Sequence, residues 1–312
     1  MGNLIKSFFK KIKEYNSRKL LRISERNSIL IAQLHINRIK TLGKVDNLEE
    51  VEFKVFSEWG EDGIIQYLIN NVDIKNKTFI EFGVEDYKES NTRFLLINNL
   101  WKGLVIDSDK NCINSIKKDE IYWRYDLNAV NAFITGENIN NIITDNGFRG
   151  ETGILSIDID GNDYWVWEKI DSVDPAIVIC EYNSLLGYTH PVSVPYDPDF
   201  FRTAAHFSNL YFGASLPALV KLAEKKGYDF AGSNSAGSNA FFVKRELSGN
   251  LKKYSIKDGY REIAARQSRN EKGELTFLNR EESWNILKDL EVVNTETGQT
   301  IKLKEIFDSD KI

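Results

Sequence analysis

From residue 78 onward, short apolar runs alternate with longer amphipathic stretches. The runs 78–82, 103–107, 121–125, 153–159 and 176–182 predict strands with helices between them, the pattern of a parallel sheet built from βα units. A helix is expected over 215–226, stopped by Gly227, and two last strands over 228–232 and 240–244. Only a Ser/Asn/Gly turn separates those two, and a parallel pair would need a crossover of about a dozen residues or more, so they must run antiparallel. Upstream, Leu4, Ile5, Phe8, Phe9, Ile12 and Tyr15 recur at three and four, with Lys6, Lys10, Lys11 and Lys13 around them. That is a basic amphipathic helix, and Leu20, Ile23, Leu30, Leu34 and Ile39 extend its apolar spacing. Beyond 247 the pattern predicts further helices and a hairpin at Thr297-Gly298. The chain thus divides into an extension (1–45), an α/β domain (46–247) and a C-terminal helical and hairpin extension (248–312).

With 312 residues, 42% hydrophobic and 28% charged, the chain can bury a large core. Its apolar runs, such as 94–97, fall far short of the ~18 residues of a membrane span. Two cysteines, Cys112 and Cys180, cannot form a disulfide framework, and no leader pattern opens the chain, which points to a cytoplasmic protein. Charge divides the chain sharply. Residues 1–44 hold eleven Lys or Arg against Glu14 and Glu25, a balance of +9, which leaves −14 for the remainder of a net −5. The basic helix suits either peripheral contact with an anionic membrane at its inner face, or packing on the body or on a second copy. Nucleic acid is not expected as a partner, because the acidic body would repel its backbone.

In an open α/β sheet ligands bind beyond the carboxyl ends of the strands. The first strand ends in Glu81-Phe82-Gly83-Val84-Glu85-Asp86, one glycine beside two acids. A pyrophosphate would be repelled there, whereas S-adenosylmethionine, with an ammonium and a sulfonium, suits an acidic loop in which Gly83 permits close backbone approach. Glu85 and Asp86 as plain helix caps are the simpler reading of the same loop. The second strand ends at Asp107, 26 residues after Glu81, where a carboxylate can accept from both ribose hydroxyls. Asp126, closing the expected third strand, faces either the adenine amino group or the start of a helix.

The fourth strand end, Asp158-Ile159-Asp160-Gly161-Asn162-Asp163, carries the most chemistry. Alternation along a strand would set Asp158 and Asp160 on one side, where like charges need a cation, an ammonium or a proton. Glu181 and Asn183 close the fifth strand. With Asp158 they form an oxygen-rich set suited to Mg²⁺ or another divalent cation, which would lower the pKa of an acceptor hydroxyl. The metal-free reading has Asp158 or Asp160 on the cofactor's amino group. An insert over 184–213 holds three of the five prolines and two of the three histidines. His190 or His206 is a candidate general base, Asp160 is a further candidate catalytic residue, and Tyr188, Tyr196, Arg202 and His206 could hold a sugar.

Seven strands closing on an antiparallel hairpin outline a Rossmann-like, mostly parallel sheet, the class I methyltransferase fold. The segments FSEWGEDGII from Phe56, FIEFGVEDYKESNT from Phe79, SIDIDGNDYWVWE from Ser156, CEYNSLLG from Cys180 and NLYFGAS from Asn209 resemble the FkbM-like S-adenosylmethionine-dependent methyltransferases, which are associated with polysaccharide biosynthesis. The resemblance spans about residues 53 to 245. It implies Glu81 and Gly83 in the first cofactor motif, Asp107 on the ribose, and Asp158, Glu181 and Asn183 as metal ligands. The chain departs from such enzymes in lacking a fuller Gly-x-Gly-x-Gly loop. The expected function is O-methylation of a sugar hydroxyl in a surface glycan or its precursor. Competing readings are a methyltransferase-like scaffold without catalysis and a nucleotide-sugar enzyme on the same fold.

Overall fold

In the computed structural model residues 2–249 and 251–307 are described, residues 2–18 by their backbone alone. Ten strands form: β1 (Thr78–Phe82), β2 (Lys102–Asp107), β3 (Leu127–Asn131), β4 (Gly150–Ile157), β5 (Val173–Glu181), β6 (Val192–Ser193), β7 (Tyr228–Ser233), β8 (Asn239–Lys244), β9 (Glu291–Asn294) and β10 (Thr300–Lys302). The helices are α1 (Gly2–Thr41), α2 (Glu61–Asn71), α3 (Arg93–Asn99), α4 (Lys110–Lys118), α5 (Glu120–Arg124), α6 (Ile139–Asp145), α7 (Asp163–Lys169), α8 (Arg202–Ala205), α9 (Leu216–Lys226), α10 (Ile256–Gly259), α11 (Arg280–Leu287) and α12 (Leu303–Phe307).

Seven strands make the main sheet in the order β3-β2-β1-β4-β5-β8-β7. All neighbours are parallel except β8, which runs antiparallel to both β5 and β7. This is the Rossmann-like order of the class I methyltransferase fold. Its strands are buried on both faces, which is why they read as continuous apolar runs. Alternation divides their side chains between two cores. Phe79, Val105, Ile154, Ile177 and Ile179 join α2, α3 and α4, while Ile80, Leu104, Leu155 and Val178 join α6, α7 and α9. The order reverses between β1 and β4, so a crevice opens beyond their carboxyl ends.

The third strand differs from expectation. Residues 121–125 lie mostly in α5, capped by Asp119, whose carboxylate accepts from Ile121 N at 3.0 Å, and β3 follows at 127–131. An apolar run of that length does not separate strand from helix by periodicity. β3 shows no continuous apolar run, because Asn128 and Asn131 interrupt it, although Leu127 and Ala129 point inward. Asp126 therefore stands at the amino end of β3, beside Lys102 at 3.9 Å and largely exposed. That is the sheet edge opposite the crevice, so Asp126 cannot face an adenine held there.

The turn at Thr297-Gly298 joins β9 to β10, and β6 from the insert pairs with β9 to complete a small second sheet. Leu185, Leu186, Val192 and Leu210 of the insert share a core with Leu287, Val292, Leu303 and Phe307. The C-terminal segment is thus a buttress for the insert over β5. α1 docks through Ala32, Ile36 and Ile39, the first two against Phe56 and Phe94. The face expected from Leu4 to Tyr15 lies outside the described side chains. No described helix is long and apolar enough to cross a membrane.

Candidate functional site

A cavity of about 470 Å³ opens at the crevice between β1 and β4. The ends of β1 (Phe82 to Glu85), β2 (Ile106 to Ser108), β4 (Asp158 to Asp160) and β5 (Glu181) line it, together with Ala132 to Ile134, Phe200 to Thr203, Glu58, Glu89, Asn91 and Asn239. Eight carboxylates face it, from Glu58, Glu81, Glu85, Glu89, Asp107, Asp158, Asp160 and Glu181, against one cation, Arg202. The field inside therefore favours a cationic ligand and opposes phosphate. Phe133 and Phe201 stack at the rim, their ring centroids 5.8 Å apart.

Gly83 adopts φ +70°, and a Cβ there would lie 1.7 Å from the Asp158 carbonyl oxygen. Only glycine lets the β1 and β4 ends approach so closely. Asp107 is held from both sides: one oxygen accepts from Glu85 N at 2.7 Å, the other from Asp109 N at 2.7 Å. Each oxygen keeps a further lone pair for a ligand hydroxyl. Glu81, 4% exposed, turns instead to its own loop, accepting from Ser90 Oγ at 2.5 Å, Asn91 N at 2.8 Å, Thr92 N at 3.1 Å and the Thr92 hydroxyl. Burial pushes its carboxyl up, and those donors partly offset the rise. Glu81 shapes the loop rather than reaching across the cavity.

The fourth strand ends earlier than expected, at Ile157, because Asp163 gathers the following turn. Its two oxygens accept from Ile159 N at 2.8 Å and Gly161 N at 2.9 Å. Strand alternation therefore stops before Asp160, which adopts φ +57° and pairs with Arg202 across the cavity. A carboxylate bound to a guanidinium is not free to pass protons, so Asp160 is not placed as a catalytic acid or base. Arg202 also donates to Asn209 O at 2.7 Å and lies over the Phe212 ring at 3.7 Å.

Asp158, Asp163 and Glu181 bring carboxylate oxygens within 4.8 Å of one another. Burial, then the charges of Asp160 and Asp163, push Asp158 well up; burial, then Asp158, does the same to Glu181. Asp163 is raised to about 6, by burial and against its backbone donors. Glu181 Oε2 is buried with no hydrogen-bond partner. An orphaned acceptor beside a second carboxylate is a place for a cation or a proton. Asp163 is spent on its turn, which leaves Asp158 and Glu181 to hold one.

Asn183 does not join them. It is 3% exposed, donates to Leu210 O at 3.0 Å and Phe212 O at 3.1 Å, and accepts from Leu185 N at 3.1 Å. β5 has ended by then, and the amide caps the first turn of the insert. Other residues of the insert also fall elsewhere. Tyr196 accepts from Gly136 N at 3.0 Å and donates to Glu137 at 2.5 Å, pinning the insert to the loop after β3. Tyr188 packs on Tyr260 at 5.2 Å, and His206 Nδ1 pairs with Ser208 Oγ at 2.7 Å. Ser215 Oγ donates to the His190 carbonyl at 2.7 Å. Neither these tyrosines nor either loop histidine lines the cavity, so of the expected acceptor contacts only Arg202 does.

Glu58, Glu89, Asn91 and Asn239 are among the lining residues that no strand-end pattern marks. Their segments are distant in sequence and meet through buried ties. Asp62 accepts from Val55 N, Phe56 N and Ser57 N at 2.7–3.0 Å, and Glu61 Oε1 accepts from Asn234 Nδ2 at 2.6 Å and Asn239 Nδ2 at 3.0 Å. The motif FSEWGEDG was the available signal. Burial, then the nearby Glu89 charge, raises the Glu58 carboxyl.

No family model and no curated protein sequence matches the chain. Distant solved structures do. The N-terminal domain of EvdMO1 with S-adenosylhomocysteine bound shares 9% identity over 71% of this chain and 94% of that one, at a TM-score of 0.39. M. capricolum TrmK in complex with S-adenosylhomocysteine shares 10% over 65% and 76%, at 0.37. An O-methyltransferase from Bacillus cereus in complex with S-adenosylhomocysteine shares 10% over 70% and 89%, at 0.34. Likeness this distant transfers no function.

Proposed function

We propose that the chain is an S-adenosylmethionine-dependent methyltransferase of the FkbM-like type that methylates a sugar hydroxyl of a glycan or glycan precursor. The observation that carries this reading is the acidic cavity at the switch point, where Gly83 has no room for a side chain and Asp107 offers two braced oxygens. Bound there, the cofactor would supply an electrophilic methyl group on a sulfonium. The protein's part is to align the acceptor oxygen and take its proton. Asp107 would hold the ribose, and the main chain at Gly83 and Val84 would flank the methionine portion.

Asp158 and Glu181 would face the acceptor. The orphaned Glu181 oxygen supports a divalent cation on this pair, and the same carboxylates are the candidates to receive the acceptor proton once the histidines and Asp160 are set aside. A nucleoside diphosphate would meet an acidic lining whose one arginine, Arg202, is already paired with Asp160, which argues against a nucleotide-sugar site.

Calorimetric titration of the purified chain with S-adenosylhomocysteine, with and without Mg²⁺, tests the reading. Micromolar binding supports it, and tighter binding or turnover on Mg²⁺ addition supports the cation. Absence of binding in both conditions would replace it with a scaffold role.

A further inference from the structure

The α1 helix is apolar on two opposite sides, and only one of them meets the body. At 3.6 residues per turn, Ala32, Ile36 and Ile39 share one side, and they are buried at 2%, 8% and 1% exposure. Leu20, Ile23, Leu30 and Leu34 share the other, and they stand 48–70% exposed. Arg22 to Glu120 and Gln33 to Asn98 tie the helix to the body, so the free side points away from it.

We infer that this free stripe is the seam of a parallel, in-register two-stranded coiled coil with a second copy of the chain. Leu20, Ile23, Asn27, Leu30 and Leu34 follow one another at intervals of three, four, three and four, the spacing that keeps a seam on a supercoiled partner. Asn27 in mid-seam selects the occupant. Against lipid its amide would have no partner, whereas across a two-fold axis it meets the same amide of the other copy and fixes register. The flanking charges agree. A parallel pair sets Lys19 opposite Ser24 of the other copy and Arg26 opposite Ile31, with no like charges opposed. From Leu20 to Leu34 the seam runs about 21 Å at ~1.5 Å per residue. The inference is independent of the catalytic reading, since no α1 residue lines the cavity among the described residues.

Sedimentation velocity of the full chain at micromolar concentration tests it, with flotation on phosphatidylserine-containing vesicles in parallel. The expected result is twice the chain mass, lost in the double variant Leu30→Glu/Leu34→Glu, with an unchanged circular dichroism spectrum. Because those positions are exposed, the body should fold in either case. Asn27→Leu, which removes the buried amide pair, should lower the dissociation constant. In a Cys112→Ser background, Leu20→Cys and Leu34→Cys should each cross-link to itself on mild oxidation, since a parallel in-register pair brings both positions against their own copies whereas an antiparallel pair can do so at one at most. A monomeric wild type, a dimer that survives the double substitution, or vesicle binding by a monomer would overturn the inference.

Discussion

Asp107 is braced before any ligand arrives, since its two oxygens already accept from Glu85 N and Asp109 N and need no reordering to take two hydroxyls. Asp107→Ala should weaken S-adenosylhomocysteine binding by at least about 100-fold, the worth of two hydrogen bonds to a charged acceptor, as read by calorimetry. Glu181→Gln should leave that binding within about twofold and remove turnover. Equal losses in the two variants would refute the division of the cavity into cofactor and acceptor halves. At Gly83 the constraint is steric as well as conformational. Gly83→Ala places a methyl against the Asp158 carbonyl and should cost at least ~2 kcal/mol in denaturant unfolding.

At the scale of elements, the insert between β5 and α9 owes its path to a few buried polar side chains. Asn183 joins the end of β5 to the 210–212 segment, and its loss would leave three buried backbone groups without partners. Asn183→Ala should cost on the order of 3 kcal/mol. Asn183→Asp is the discriminating variant. A metal ligand would tolerate it, whereas a carboxylate facing two carbonyl oxygens should lower the melting temperature much as alanine does. These details were not legible in the sequence, because an Asn just past a strand end reads equally as ligand or cap. The expected strand over 121–125 failed for a related reason. Its apolar residues pack equally well on a short helix, and the Asp119 cap decides between the two.

For the whole molecule, buried carboxyls make stability depend on pH. Asp62, 1% exposed and remote from β4 and β5 in sequence, is raised to about 6, by burial and against its backbone donors. Below about pH 4 the carboxyl is protonated in both folded and unfolded chains. Between about 4 and 6 the folded chain holds the proton more tightly, so this contribution to stability is lost as pH rises through 6. The expected loss is on the order of 2–3 kcal/mol at one carboxyl. Asp62→Asn keeps an oxygen for the three backbone donors and should flatten the fall in urea midpoint between pH 4 and 7. A slope unchanged by the substitution would assign the effect to other groups.

Outside the third strand, the sequence by itself determined where apolar runs stop, and so which residues stand at or next to the strand ends. Gly83, Asp107, Asp158 and Glu181 meet in one cavity because parallel strands in register bring their carboxyl ends together. It also determined the direction of β8, since a short turn leaves no room for a crossover. Only the tertiary structure decided what happens one or two residues further on. Past a strand end side chains no longer alternate, and their direction depends on a local φ and on distant partners. Asp160 turns to Arg202 and Asn183 to two carbonyls. Glu58 and Asn239 enter the cavity through hydrogen bonds between segments some 180 residues apart, whose pairing no local pattern encodes.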